Sequence, residues 1–159
     1  MISNNDLTAS PSNSCYNLST LIRESARRWP DRVAITAPGR VGLTYKELAI
    51  LVEKLTAQLG ASGVQSVDRI AVVLDGGPEA ATAFLGTAAC TTSAPLNPAY
   101  TAQEFEFYLT DLRARALLVR EGFDSPAVPV ARALGIPVLF ARYSPSDPAG
   151  WFHIIGEGP

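Results

Sequence analysis

Four short apolar runs recur through the second half of this chain at a nearly constant interval. They sit near Ile70–Leu74, Ala94–Leu96, Ala116–Val119 and Pro137–Phe140, so their centres lie about 21–24 residues apart. Each run is apolar without a polar/apolar alternation, the pattern of a strand buried on both faces. Helical stretches fill the gaps at Pro78–Cys90, Ala102–Leu112 and Ser125–Leu134. Strand–helix–strand repetition with right-handed crossovers predicts an α/β fold: a doubly wound, mostly parallel sheet with helices on both faces.

The first half adds a preface to that sheet. Asn17 opens a helix that carries Leu18, Leu21, Ile22, Ser25 and Ala26 on one face, with Arg23, Glu24, Arg27 and Arg28 opposite, and Trp29-Pro30 ends it. Val33-Ala34-Ile35-Thr36, the turn signal Pro38-Gly39 and Val41-Gly42-Leu43 read as a hairpin. Thr44 and Glu47 have capping-box spacing. The helix they start runs through Leu48, Leu51, Val52, Leu55 and Leu59, and Gly60 or Gly63 stops it. Thr101 and Glu104 form a second capping box, Pro78 suits a first helical turn, and Gly135 suits a helix end. Residues 1–16, rich in Ser and Asn, read as a disordered lead-in. Residues 17–142 read as one partial domain. Residues 143–159 read as a loop-like end that allows a short strand at Phe152–Ile155.

Charge and special residues narrow the chemistry. Among 159 residues, thirteen basic against fifteen acidic side chains give a net charge of -2; eleven of the basic residues are Arg, and the lysines are Lys46 and Lys54. No cationic stripe suits a phosphate backbone, so no nucleic-acid partner is expected. No apolar run approaches the roughly 18 residues of a membrane span, and the polar start has no secretory h-region. Cys15 and Cys90 make neither a disulfide framework nor a metal site, and the single His153 excludes any site of two imidazoles. A cytoplasmic setting follows as the expectation.

Each chemically suggestive stretch has a plainer reading. Leu74-Asp75-Gly76-Gly77-Pro78 is a strand end, glycine turn and helix start that can hold an anion. Its adjacent glycines lack the dinucleotide spacing and Asp75 repels phosphate, so a plain turn is favoured. A Walker-type loop needs Lys beside its glycines, and none follows Lys54. Thr91-Thr92-Ser93 reads as a helix end. His153 with Trp151 and Glu157 allows acid–base work, but no nucleophile accompanies it, so a structural or exposed histidine is favoured. Cys90 reads as a buried inert thiol. Glu104 reads as a cap beside Glu106 and Asp111, and Phe105, Tyr108, Leu109 and Leu112 as core. The residues alone give no catalytic, cofactor-binding or metal-binding candidates.

Several runs resemble the N-terminal part of the AMP-forming acyl/aryl-CoA synthetases, members of the adenylate-forming superfamily. These are Leu43-Thr44-Tyr45-Lys46-Glu47-Leu48, Gly77-Pro78-Glu79, Gly86 through Tyr100, Glu104 through Asp111, and Ala116-Leu117-Leu118-Val119. Ala94-Pro95-Leu96-Asn97-Pro98-Ala99-Tyr100 is most similar to the oxalyl-CoA synthetase branch. The resemblance spans about Asn17 to Phe140. It implies a fragment of an enzyme that joins a carboxylate to CoA through an acyl-adenylate, using ATP, Mg and CoA. The family's Ser/Thr/Gly-rich loop ending in Pro-Lys, its adenine and magnesium motifs and its C-terminal catalytic Lys have no counterpart here. The resemblance therefore implies a chain that is inactive alone, with no cofactor of its own. Its expected partner is the missing remainder of the enzyme, and exposed apolar surface is expected to drive self-association. A full-length parent can be peroxisomal, but Gly156-Glu157-Gly158-Pro159 is no such address. The alternative is a non-enzymatic doubly wound binding or interaction module.

Overall fold

The computed structural model describes residues 17–156. Helix α1 (Leu18–Arg28) starts where the Asn17 side chain accepts a 2.8 Å hydrogen bond from the Thr20 amide. Strands β1 (Val33–Ile35) and β2 (Leu43–Thr44) pair antiparallel, forming the expected hairpin. Helix α2 (Tyr45–Ala61) begins with the expected capping box: the Thr44 hydroxyl accepts from the Glu47 amide, and the Glu47 carboxylate accepts from the Thr44 amide. Its stop is at Gly63 (φ +75°), not Gly60, which lies inside the helix. Only a glycine enters that left-handed conformation without strain.

The sheet follows. Strand β3 (Arg69–Val73) leads to α3 (Pro78–Ala88) and β4 (Thr92–Pro95); α4 (Ala102–Asp111), β5 (Ala116–Arg120), α5 (Ala127–Ala133) and β6 (Val138–Arg142) complete the repeats. A last strand, β7 (His153–Gly156), closes one side. The five strands lie in the order β4-β3-β5-β6-β7. The first four are parallel, and β7 runs antiparallel to β6. Thr92 and Ser93 correct one expectation: they begin β4, and α3 ends earlier, at Ala88. The reason is local. The Thr92 amide donates to the Asp68 carbonyl at 2.9 Å, which draws the hydroxyl-rich segment into the sheet. In the end segment the strand lies at His153–Gly156, one residue beyond the expected place, with turns between Ser144 and Gly150.

Strand side chains divide between two cores. Ile70, Val72 and Leu74 face α2 and α3, where Leu51, Leu55 and Ala83 meet them together with Leu118 of β5. Ala71 and Val73 face the other way, toward Phe105 and Leu109 of α4 and Ala127 and Ala131 of α5. A strand buried on both faces has no polar side to show, which explains the unbroken apolar runs. A third cluster, built on Ile22, Leu43, Leu48 and Val52, seats α1 and the hairpin on the outer side of α2. Among the described residues no helix is long and apolar enough to cross a membrane.

Candidate functional site

The chain direction reverses its progress across the sheet between β3 and β5: the path goes from β3 outward to β4, then back past β3 to β5. In open parallel sheets the crevice beyond the strand carboxyl ends at such a reversal is where ligands sit. Here that crevice is formed by Asp75, Gly76 and Gly77 after β3, by Arg120 and Glu121 at the end of β5, and by Arg142 and Tyr143 at the end of β6.

The charges at this mouth are paired with one another. The Arg120 guanidinium lies 3.6 Å from the Asp75 carboxylate and 5.2 Å from the centre of the Tyr143 ring. Arg142 donates two hydrogen bonds of 2.5 Å to the two Glu121 oxygens. Those bonds hold the Glu121 carboxyl below the ordinary carboxylate range and raise Arg142 in turn. Burial pushes the Tyr143 phenol up, with Arg120 acting against that shift. Both arginines thus face carboxylates, and Asp75 adds a negative charge beside the glycine turn. The arrangement is one of charge-compensated strand ends.

Behind the mouth lies a network whose parts are far apart in sequence. Arg40, in the hairpin turn, bonds the Glu79 carboxylate at 2.5 Å. It also donates to the main-chain carbonyls of Asp147 and Pro148. Glu79, in the first turn of α3, accepts from the Gly150 amide at 3.1 Å, and the Thr82 hydroxyl donates to the Gly150 carbonyl at 2.6 Å. The Arg40 and Glu79 side chains are only 15% and 8% exposed. Sequence patterning missed this network because its partners are 39 and 71 residues apart. In the sequence Glu79 stands out only within the Gly77-Pro78-Glu79 run of the family resemblance, and nothing there ties it to Arg40 or Gly150.

The other singled-out residues fall in separate places. His153 is exposed, and its Nε2 accepts a 3.3 Å bond from the Trp151 indole. Glu157, its suggested partner, lies outside the described residues, as do Cys15 and the residue 1–16 lead-in. Cys90 is half-buried, its thiol directed at the Gly86 carbonyl at 3.4 Å, and burial raises its pKa. Glu104 caps α4, accepting from the Thr101 amide at 2.8 Å. Phe105 and Leu109 are core, whereas Tyr108 and Leu112 are half-buried at its margin. Glu106 and Asp111 are exposed. Among the described residues no three His, Cys, Asp or Glu side chains converge as metal ligands do.

On the opposite edge from β4, a groove of about 360 Å³ runs between α2 and β7. Leu51, Phe152 and Ile154 form its apolar floor, and Lys54, Gln58 and His153 its rim. Gln58 donates to the Ile154 carbonyl at 3.1 Å, and the Lys54 ammonium sits 5.2 Å from the Trp151 ring centre.

Residues 22–144 match the family model described as "AMP-binding enzyme". The oxalate–CoA ligase of Arabidopsis thaliana is 37% identical over 121 residues, covering 75% of this chain and 24% of that protein. A probable CoA ligase of Humulus lupulus is 38% identical over 134 residues, covering 84% of this chain and 25% of that protein. The structure of ATP-bound MatB from Rhodopseudomonas palustris superimposes with a TM-score of 0.68 at 25% identity, covering 78% of this chain and 25% of that one. The chain therefore spans about a quarter of the length of the relatives it matches. The chain belongs to the AMP-binding enzyme family.

Proposed function

We propose that this chain supplies the scaffold of an acid–CoA ligase and does not adenylate a carboxylate by itself. In the whole enzyme the reaction is taken to be carboxylate plus ATP giving acyl-adenylate and pyrophosphate, followed by displacement of AMP by the CoA thiol. The observation that carries the first half is the family match over residues 22–144 within relatives about four times as long. The second half rests on the charge at the sheet's carboxyl ends. Adenylyl transfer depends on positive charge and amide donors fixed around the phosphates. Here Arg120 and Arg142 are engaged by Asp75 and Glu121, the glycine turn carries no lysine, and both lysines lie on α2.

The test is pyrophosphate release and acyl-AMP formation by the purified chain with ATP, Mg and CoA, across a panel of carboxylic acids that includes oxalate. The expected outcome is no turnover with any acid. Turnover at an ordinary enzymatic rate, roughly 1 per second or more, overturns the reading.

A further inference from the structure

Two exposed helical faces carry opposite charge, and each bears a bare aromatic ring. On the outside of α1, Arg23, Arg27 and Arg28 lie around Glu24, and Arg32 follows just past the helix. Two of these cations meet the exposed Trp29 ring: the Arg28 guanidinium is 4.7 Å and the Arg32 guanidinium 5.7 Å from its centre. On α4 the signs are reversed. Glu104, Glu106 and Asp111 are exposed, and the helix holds no Lys or Arg. Its exposed Phe107 stands with Glu106 and Asp111 at a shallow depression of about 400 Å³. Among the described residues, none of Arg27, Arg28, Glu106 and Asp111 has an ion-pair partner. A charged helix face alone is ordinarily solvated. These two differ in that each surrounds an exposed ring, the combination of aromatic and Arg side chains that contact surfaces favour.

We propose that the chain associates head to tail, the Arg27–Trp29 face of one copy seated on the Glu106, Phe107 and Asp111 face of a second. Charge complementarity selects this pairing. Laying α1 on α1 opposes arginines to arginines, and laying α4 on α4 opposes carboxylates to carboxylates, so both like pairings are disfavoured. Laying α1 on α4 sets arginines against carboxylates and Trp29 against Phe107. The rings supply the binding free energy, and the charges choose the partner face. The two faces lie on opposite sides of the molecule, because α1 packs outside α2 on one side of the sheet and α4 covers the other. A contact between unlike faces leaves one of each free on every pair, so growth continues past the dimer. The inference goes beyond the scaffold reading and does not depend on it.

The experiment is sedimentation velocity of the 159-residue chain over a concentration series, at about 50 and about 500 mM salt, between which the screening length falls roughly threefold. Two charge-reversed variants accompany it: Arg27→Glu with Arg28→Glu, and Glu106→Arg with Asp111→Arg. All four positions are exposed, so the circular dichroism of both variants should match the parent. The expected result is a parent whose sedimentation coefficient rises with concentration at low salt, with association weakened at least about tenfold at high salt. Each variant alone should associate at least about tenfold more weakly than the parent, since both of its faces then carry one sign. An equimolar mixture of the two variants should regain the association, because every α1 face again meets an α4 face of opposite sign. A parent that stays monomeric, or that associates equally at both salt concentrations, overturns the inference. So does a variant that associates like the parent, or a mixture that stays monomeric. The salt series requires no substitution and decides the matter even where a variant fails to fold.

Discussion

Glu79 is the residue on which three distant segments converge. It joins α3 to the hairpin through Arg40 and to the 144–150 turn through the Gly150 amide. Gly150 has φ +87°, and a side chain there would place its Cβ 2.7 Å from the Thr82 methyl and 3.0 Å from the Pro78 carbonyl oxygen. The turn is thus pressed against the helix start closely enough that the buried carboxylate has little access to water and depends on its partners. Removing one member of a buried pair leaves the other charged and unpaired, which costs more than the pair contributes. Glu79→Ala is therefore expected to lower the unfolding free energy by about 3 kcal/mol, measured by urea denaturation. The Arg40→Leu, Glu79→Leu double variant should lose clearly less than the sum of the two single variants, because it strands neither charge. Additive losses would show that the two groups do not act as a pair. None of this was visible in sequence. An Arg after a Pro-Gly turn and a Glu in a first helical turn are each ordinary, and only the fold brings them together.

Elements were legible where local physics decides them. Both capping boxes form as their spacing requires, because each places one side chain and one backbone donor within a single turn. At Thr101, the amide and hydroxyl bonds to Glu104 hold that carboxyl below its ordinary range. A carboxyl with a lowered folded pKa contributes stability above its unfolded pKa and loses it as pH falls through the folded value. Replacing Thr101 by Val removes the hydroxyl and disturbs the reciprocal geometry. Because the Thr101 amide, the larger cause, stays, it is expected to return the Glu104 carboxyl only part of the way toward the ordinary range in an NMR titration and to soften the acid side of the pH–stability curve. A titration unchanged from the parent would assign the shift to the Thr101 amide alone. Boundaries were less legible where two tendencies compete. The Ala80–Ala89 run has helical propensity up to Cys90, but the ladder bond from Thr92 to Asp68 and the side-chain bond from Thr87 to Ser93 take the chain out of the helix early. The α2–α3 contact was likewise hidden. A Cβ on Gly86 would lie 2.4 Å from a Leu55 methyl, so the two helices touch through a glycine that reads in sequence only as a weak helix former. The strand-end crevice was readable as a turn, and its charge compensation was not, because it requires knowing that β3, β5 and β6 lie side by side.

At the scale of the molecule, the fold has two finished faces and an unfinished outline. Each face of the sheet is sealed by a pair of helices, yet large apolar side chains remain outside: Phe107 is 63% exposed on α4, Val67 77% and Val41 72%. Phe107 lies by a shallow depression of about 400 Å³ between Gln103 and Asp111, on the face of α4 turned away from the core. Singly exposed apolar residues are ordinary on a monomer. Here strand pairing in the parallel sheet joins residues far apart in sequence, so folding is slow and open intermediates persist. The isolated chain is accordingly expected to associate weakly, with a sedimentation coefficient that rises over a concentration series and a thermal transition that broadens and shifts as concentration increases. Phe107→Glu should reduce that association, since it puts a charge in place of a largely exposed aromatic ring without altering the Phe105 and Leu109 packing beneath. The same substitution should leave the α2–β7 groove unaffected, because α4 and α2 cover opposite faces of the sheet. A sharp, concentration-independent melt of a monomer would mean that the chain is complete as a folding unit. The exposed Phe107, Val67 and Val41 would then be the ordinary single apolar residues of a monomer's surface.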